Sequence, residues 1–166
     1  MANDLFVSWD DYHRLIEKLA LSVHDSGWQF NQIVCIARGG LRVGDQLSRI
    51  FDLPLAIMST SMYREGGGMV RGQLLMSEHL TMTSAKLGDK ILLVDDMVDS
   101  GHTMEVVIRE LPQRYPHVAE LKTGVLWHKA CSVYKPDYAI EFLADNPWIH
   151  QPFEKYDGMR PAMIPR

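Results

Sequence analysis

Short apolar runs alternate along this chain with segments in which apolar residues recur every three or four positions. An apolar run without polar alternation is typical of a strand that is buried on both faces, and the spaced pattern is typical of an amphipathic helix. The predicted strands are 33–37, 54–58, 91–94, part of 118–126, and 137–143. Strands that alternate with helices predict a single α/β domain over residues 1–166, with a central, mainly parallel sheet and helices on both faces.

Three helices are predicted between these strands. Ser8 followed by Asp11 resembles a capping box, so the first helix should begin there and end near 25–27. The second should follow Gly40, and the third should stop near Pro112. The residues that form their apolar faces are Tyr12, Leu15, Ile16, Leu19 and Val23, then Val43, Leu47 and Ile50, then Met104, Val107, Ile108 and Leu111.

A dense group of polar residues follows the strand 91–94. Asp95 and Asp96 come first, and Asp99, Ser100, Gly101 and Thr103 lead into the third helix. Glycine and hydroxyl residues at a helix start suit a phosphate group, whereas paired acids suit sugar hydroxyls or a divalent cation. The array therefore predicts a site for a ribose 5-phosphate unit at the carboxyl end of the sheet. The alternative is that the two acids belong to an ordinary loop that caps the helix.

A second turn of similar kind follows the strand 33–37. Arg38-Gly39-Gly40 combines a guanidinium with backbone donors just before a helix, which is typical of an anion site. A plain turn is the alternative at this position.

The segment 91–103 resembles the phosphoribosyl-pyrophosphate (PRPP) motif of the type I phosphoribosyltransferases, with Ser100 where threonine is commoner. The resemblance implies that PRPP is bound by Asp95, Asp96, Met97, Val98, Asp99, Ser100, Gly101, His102 and Thr103. It implies further that Asp96 shares Mg²⁺ with PRPP, that Asp99 is the general base, and that Arg38 and Gly39 bind the diphosphate. In this family a cis peptide often precedes the arginine.

Glycines 66–68 lie in a stretch from Thr60 to about Gln73 that reads as a loop. It is either a disordered surface loop or, as the resemblance implies, a flexible lid over about 60–80 that brings Arg71 to the diphosphate. The family often carries a Ser-Tyr pair in its lid, but here Met62 separates Ser61 from Tyr63.

The carboxyl-terminal part resembles bacterial xanthine-guanine phosphoribosyltransferases in the segment Trp148-Ile149-His150-Gln151-Pro152, although those enzymes tend to have an acid where this chain has His150. The resemblance implies a small hood formed by about 144–166 with amino-terminal residues. In it Trp148 stacks on a purine and the backbone near Ile149 reads its 2-position. Lys129, after the strand in 118–126, would bind the 6-oxo group. The side chain of His150 either reaches the base or points to solvent.

Composition narrows the partners. The 21 acids and 17 bases give a formal net charge of -4, which argues against nucleic-acid binding. Two cysteines and the absence of a long apolar run favour a cytoplasmic protein without a membrane span. The resemblance implies a homo-oligomer, either a dimer or a tetramer.

The function that these features predict is purine salvage. Ribose 5-phosphate would pass from PRPP to hypoxanthine, guanine or xanthine, giving a purine nucleoside monophosphate and pyrophosphate. A non-catalytic sensor of PRPP or nucleotides on the same fold is the main alternative. A transferase for adenine or pyrimidines is less compatible with Lys129 and the segment around Trp148.

Overall fold

Ten strands and three α-helices make up the part of the domain that the structure describes. The computed structural model describes residues 4–65 and 68–165, and the side chains of 62–73 lie outside that description. The elements in chain order are β1 (Leu5–Phe6), α1 (Trp9–Asp25), β2 (Gln32–Ala37), α2 (Leu41–Phe51), β3 (Leu55–Glu65), β4 (Gly68–Met76), β5 (Thr81–Met82), β6 (Lys90–Val94), β7 (Met97–Val98), α3 (His102–Arg114), β8 (Glu120–Lys129), β9 (Tyr138–Leu143) and β10 (Ile149–His150). Two short 3-10 helices follow at Glu154–Tyr156 and Pro161–Met163.

The main sheet has the strand order β4-β3-β2-β6-β8-β7, with β5 beside β3 and β9 beside β8. Its pairs are parallel except for β4 and β5, which run antiparallel to β3. The chain leaves β2 through α2 toward β3 on one side, and leaves β6 through α3 toward β8 on the other. The strand order therefore reverses between β2 and β6, and open α/β sheets bind their ligands at the carboxyl side of such a switch point.

Helices cover both faces of the sheet, as the sequence predicted. Successive side chains of a strand point to opposite faces, so Ile33 and Cys35 of β2 pack with α1 and α2. Val34 and Ile36 of the same strand pack with α3 on the other face. Burial on both faces explains why β2 and β6 are continuous apolar runs.

The predicted start of α1 agrees with the structure, whereas α3 extends beyond its predicted end. Ser8 caps α1, and its hydroxyl accepts a hydrogen bond from the Asp11 amide at 3.1 Å, as predicted. By contrast, α3 continues past Pro112 to Arg114. Pro112 lies in the last turn, where its missing N–H removes one hydrogen bond and few residues follow, so the helix closes with the Tyr115 amide on the Leu111 carbonyl.

The prediction of a loop from Thr60 to about Gln73 is wrong for most of that segment. Backbone pairing between β3 and β4 runs from Thr60 with Met76 to Glu65 with Gly68, with a register shift between Met62 and Arg64. Strand pairing satisfies the backbone N–H and C=O groups and overrides the low strand propensity of glycine. Gly66 and Gly67, and the side chains of Tyr63 and Arg71, lie outside the described residues, so the predicted role of Arg71 stays a prediction.

A separate two-stranded parallel sheet joins the two ends of the chain. Leu5 pairs with Ile149 and Phe6 with His150. The carboxyl-terminal segment is thereby held against the residues that precede α1. Among the helices that the structure describes, none combines the length and the apolarity needed to cross a membrane.

Candidate active site

The two predicted anion turns meet at the switch point of the sheet. Cys35 of β2 pairs with Val94 of β6, so Arg38-Gly39-Gly40 and Asp95-Asp96 emerge side by side. A Cβ atom on Gly39 would lie 2.6 Å from Oδ1 of Asp96, and one on Gly40 would lie 2.7 Å from the Val94 carbonyl oxygen. Only glycine fits at both positions, because the turns approach so closely. The peptide bond between Ala37 and Arg38 is cis.

A cleft of about 190 Å³ opens at the end of β6. Eight of the residues that line it were predicted to bind PRPP, and Met104 is the addition. The lining residues are Asp95, Asp96, Met97, Val98, Asp99, Ser100, Gly101, Thr103 and Met104. The predicted PRPP-binding residues His102, Arg38 and Gly39 do not line this cleft. The His102 imidazole is exposed and lies 3.6 Å from the Glu105 carboxylate.

The turn into α3 is shaped by Gly101. Its φ is +85°, a conformation that L side chains rarely adopt, and a Cβ there would lie 2.6 Å from the Ser132 hydroxyl. The Val133 amide donates to the Ser100 carbonyl at 3.0 Å, which fixes this turn against the loop after β8. Amides at the start of α3, together with the hydroxyls of Ser100 and Thr103, form a concave set of donors that suits a phosphate.

Asp95 and Asp96 form a crowded acid pair at the base of the cleft. Asp96 is only 8% exposed, and its Oδ1 accepts a hydrogen bond from the Met97 amide at 2.7 Å. The Asp96 amide in turn donates to Oδ1 of Asp95 at 2.9 Å. Burial raises the pKa of both carboxyl groups, and the charge of Asp96 adds to the rise at Asp95. Hydroxyl donors or a cation near this pair would therefore be stabilised strongly.

Lys129 contacts Asp99, one of the residues that line the cleft. Nζ of Lys129, the last residue of β8, lies 3.2 Å from Oδ2 of Asp99. The lysine side chain is 7% exposed and the aspartate side chain 56% exposed, so the pair is open on the aspartate side. The thiol of Cys131, which sequence reasoning did not select, donates to Oδ1 of Asp99 at 3.4 Å.

The predicted purine-binding residues of the carboxyl-terminal segment 144–166, here called the tail, have three different environments. The Trp148 side chain is 63% exposed, whereas Ile149 packs in the core with α1. The His150 imidazole stacks on Phe6 with ring centroids 4.4 Å apart and lies 3.0 Å from the Asp4 carboxylate. The amides of Leu5 and Val7 bind the carbonyls of Trp148 and His150, which leaves the main chain of Ile149 on the opposite edge of β10.

Gln151 follows the predicted purine-binding residues and had no predicted role. Its side chain is buried, and Nε2 donates to Oδ2 of Asp96 at 2.5 Å. This bond lowers the pKa of Asp96 and opposes the effect of burial. The place of Gln151 in the same motif as Trp148 and Ile149 was the one indication of a role. A single sequence does not show which side chain a residue contacts in the fold, so Asp96 could not be predicted as its partner.

The described residues contain no cluster of three or more His, Cys, Asp or Glu side chains suited to a metal ion. Mg²⁺ usually keeps waters and takes one or two carboxylates together with substrate phosphates, so a complete protein cage is not needed. The buried pair of Asp95 and Asp96 fits an ion that is shared with a bound diphosphate.

Comparison with known proteins agrees with this geometry. The family model described as "Phosphoribosyl transferase domain" matches residues 8–157. The xanthine-guanine phosphoribosyltransferase of Idiomarina loihiensis is 28% identical over 154 residues, covering 92% of this chain and 88% of that protein. The enzyme of the same name from Ruegeria sp. is 33% identical over 139 residues, covering 72% of this chain and 77% of that protein.

Two solved structures are similar over nearly the whole chain. The purine phosphoribosyltransferase of Pyrococcus horikoshii has a TM-score of 0.73 at 26% identity, covering 98% of this chain and 99% of that chain. The xanthine-guanine-hypoxanthine phosphoribosyltransferase of Helicobacter pylori has a TM-score of 0.75 at 25% identity, covering 93% of this chain and 96% of that chain. Fold, motif and family model agree, and the chain belongs to the phosphoribosyl transferase family.

Proposed function

We propose that this protein is a purine phosphoribosyltransferase that transfers ribose 5-phosphate from PRPP to a 6-oxopurine and releases pyrophosphate. The observation that carries the proposal is the contact between Lys129 and Asp99 beside the phosphate-binding turn. The products would be pyrophosphate and the nucleoside monophosphate of hypoxanthine, guanine or xanthine, which is the chemistry of purine salvage.

The Lys129–Asp99 pair complements one edge of a 6-oxopurine. That edge carries the 6-oxo group, an acceptor, next to N7, which carries a proton before transfer. The ammonium of Lys129 donates to the 6-oxo oxygen, and the carboxylate of Asp99 accepts the N7 proton as the base becomes a nucleophile. Adenine presents an amino group in place of the 6-oxo oxygen, so two donors would face each other. General-base help of this kind contributes about 10²–10⁴-fold to the rate.

PRPP would lie across the switch point between β2 and β6. Its 5-phosphate would be bound by the amides and hydroxyls of residues 99–103, and its ribose hydroxyls by Asp95 and Asp96. Arg38 and the amide of Gly39 would bind the diphosphate, because this turn touches Asp96. Bond breaking at C1 of the ribose develops positive charge on the sugar and negative charge on the diphosphate.

Asp96, with Asp95 beside it, would hold Mg²⁺ together with oxygen atoms of PRPP. Bound there, the ion would neutralise charge on the leaving diphosphate. Between them these carboxylates would orient the ribose through its hydroxyl groups.

The tail would complete the purine site. Trp148 has an exposed ring that is available for stacking, a contact of about 1–3 kcal/mol per base. The main chain of Ile149, on the edge of β10 that faces away from β1, would read the 2-position. The stacking of His150 on Phe6 and its contact with Asp4 favour the alternative in which its side chain does not touch the base.

The lid and the assembly are parts of the same proposal. The β3–β4 hairpin would close over the site and bring Arg71 to the diphosphate, as lids that exclude water do. We expect a dimer or a tetramer. The alternative function, a sensor without catalysis, is not favoured, because the similar proteins are named as phosphoribosyltransferases.

A panel of five nucleobases tests the proposal. The protein is incubated with PRPP, Mg²⁺ and guanine, xanthine, hypoxanthine, adenine or uracil, and nucleotide and pyrophosphate are quantified. The expected result is equimolar nucleotide and pyrophosphate with the three 6-oxopurines. Binding of PRPP without nucleotide formation from any base would favour the sensor, and preferential use of adenine or uracil would contradict the assignment.

A further inference from the structure

Gln151 connects the carboxyl-terminal segment to the acid pair at the base of the cleft. Its Nε2 donates to Oδ2 of Asp96 at 2.5 Å, while Oδ1 of Asp96 accepts from the Met97 amide at 2.7 Å. Both oxygens of the Asp96 carboxylate are therefore engaged, and its plane is fixed by one main-chain donor and one side-chain donor. The main-chain donor belongs to the same loop, whereas Gln151 comes from a segment 55 residues away in the sequence.

The position of Gln151 is itself fixed from both sides. On one side, β10 is paired with β1 through Phe6 and His150. On the other side, the ring of Phe153 lies under the guanidinium of Arg42, with 4.1 Å from Cζ to the ring centroid. Gln151 thus approaches Asp96 from a segment that is held at both ends. A side chain can orient a functional group only if its own position is fixed in this way.

The bond to Asp96 explains an amide at this position. The other end of the side chain, Oε1, is buried and has no hydrogen-bond partner among the residues that the structure describes. A buried acceptor without a partner costs about 1–3 kcal/mol, and the donor that meets Asp96 at the other end of the amide offsets this cost. The orientation of the amide also follows from Asp96, since Oε1 would repel the carboxylate if the two ends were exchanged.

Gln32 shows what a buried glutamine with a purely structural role looks like in this chain. It is 1% exposed, at the start of β2 and away from the cleft. Its Nε2 donates to the carbonyls of Ile33 and Pro54, and its Oε1 accepts from the amide of Gly88 at 3.3 Å. Both ends of the Gln32 amide are satisfied, in contrast to Gln151.

We propose that Gln151 is a positioning residue that holds the Asp96 carboxylate in the orientation required by PRPP and so links the tail to the PRPP site. This inference rests on the proposed function. Because the bond of Gln151 ends on Asp96, which is assigned to the ribose hydroxyls of PRPP and to Mg²⁺, its loss should affect PRPP more than the purine.

The test compares Gln151→Met and Gln151→Glu with the wild type and with Gln32→Met. Methionine keeps the length and removes the donor, and glutamate keeps the shape and places a carboxylate opposite Asp96. The measurements are the Kd for PRPP with Mg²⁺ by calorimetry, kcat, the KM values for PRPP and guanine, and Tm. Gln151→Met should weaken PRPP binding by about ten-fold or more, as expected for a lost hydrogen bond to a charged group. Gln151→Glu should weaken it further.

Under the proposal the KM for guanine and kcat change much less than the Kd for PRPP, and Gln32→Met lowers Tm without changing that Kd. PRPP binding by Gln151→Met equal to that of the wild type would overturn the proposal. An equal loss in Gln32→Met would also overturn it, since the effect would then follow stability. If Gln151→Met does not fold, Gln151→Glu decides by the same comparison. A wild type that makes no nucleotide contradicts the proposed function itself, which separates the two failures.

Discussion

Nζ of Lys129 lies 3.2 Å from Oδ2 of Asp99, at the point where β8 ends beside the turn into α3. The two residues are separated by 30 positions in the sequence, and the parallel pairing of β7 with β8 brings them together. A buried ammonium therefore lies beside a carboxylate that is 56% exposed, which places one donor and one acceptor next to each other at the cleft.

Replacing Lys129 with methionine should mainly affect the purine. The change removes the donor for the 6-oxo group, and leaving that oxygen unpaired costs about 1–3 kcal/mol, or roughly ten- to a hundred-fold in kcat/KM for guanine. Steady-state kinetics with each substrate varied in turn measure the effect. Lys122→Met, on the same strand but beside Trp28, is the matched control and should leave kcat/KM unchanged. A Lys129→Met enzyme with unaltered kcat/KM for guanine would exclude Lys129 from base recognition.

Replacing Gly39 with alanine should mainly affect PRPP. The new methyl group would lie 2.6 Å from Oδ1 of Asp96, whose carboxylate is held by two hydrogen bonds and cannot move without breaking one. We expect PRPP affinity to fall by about ten-fold or more and stability to fall by about 1–3 kcal/mol, as in overpacked sites. Calorimetric titration with PRPP and Mg²⁺ checks the first effect. Gly158→Ala, where a Cβ meets open space, should change neither quantity.

The acid pair should make the free protein less stable as the pH rises. Burial raises the pKa of Asp95 in the folded state above its ordinary value of 3.8. Between pH 3.8 and the raised pKa of the folded state, the folded protein binds more protons than the unfolded protein. Its stability therefore falls as the pH increases through that range. At neutral pH without Mg²⁺, Asp95→Asn should therefore have a higher Tm than the wild type.

In a chain of this length, each kcal/mol added to the free energy of unfolding raises Tm by about 2–4 °C. The gain should shrink as the pH falls and should vanish below 3.8, because the Asp95 carboxyl is then protonated in both the folded and the unfolded state. Asp145→Asn removes one acid at an exposed position and is the control. If Tm depended on pH in the same way in both variants, the burial of Asp95 would not be the cause of the gain in Tm.

His150 should contribute to stability and not to base choice. Its ring stacks on Phe6 and lies 3.0 Å from Asp4 and 3.9 Å from Glu154. In His150→Glu three carboxylates would face one another, so Tm should fall, and fall further at low salt. The ratios of kcat/KM for guanine, xanthine and hypoxanthine should stay within about two-fold, well below the effect of one lost hydrogen bond. A larger change in those ratios would show that the imidazole reaches the base.

The sequence predicted the parts of the fold in which local pattern and tertiary structure agree. The runs in β2 and β6 and the apolar faces of α1 and α3 are such cases, since each element needs only its own residues to be recognised. The site motif from Asp95 to Thr103 was also local, because all of its residues lie in one continuous segment between β6 and the first turn of α3. The hairpin of β3 and β4 was missed, since its strands are stabilised by pairing with each other and not by the propensity of their glycine-rich sequence.

The site contacts that could not be predicted from the sequence join residues that lie far apart in the chain. The bond from Gln151 to Asp96 and the thiol of Cys131 beside Asp99 join residues 55 and 32 positions apart. No pattern in one sequence specifies such pairs. Likewise, the stacking of His150 on Phe6 depends on the parallel pairing of β1 with β10, two strands of only two residues each.

In the proposed reaction Asp99 accepts the purine N7 proton while the phosphoribosyl group moves from PRPP to the base. Asp99→Asn keeps the shape of the side chain and removes its basicity, so the variant isolates this proton transfer. Single-turnover formation of guanosine monophosphate and pyrophosphate is measured for the wild type and the variant, with the Kd for PRPP and Mg²⁺ measured in parallel. We predict equimolar products, a fall in rate of about 10²–10⁴-fold in the variant, and a nearly unchanged Kd for PRPP. A variant that forms the nucleotide at the wild-type rate would contradict the account.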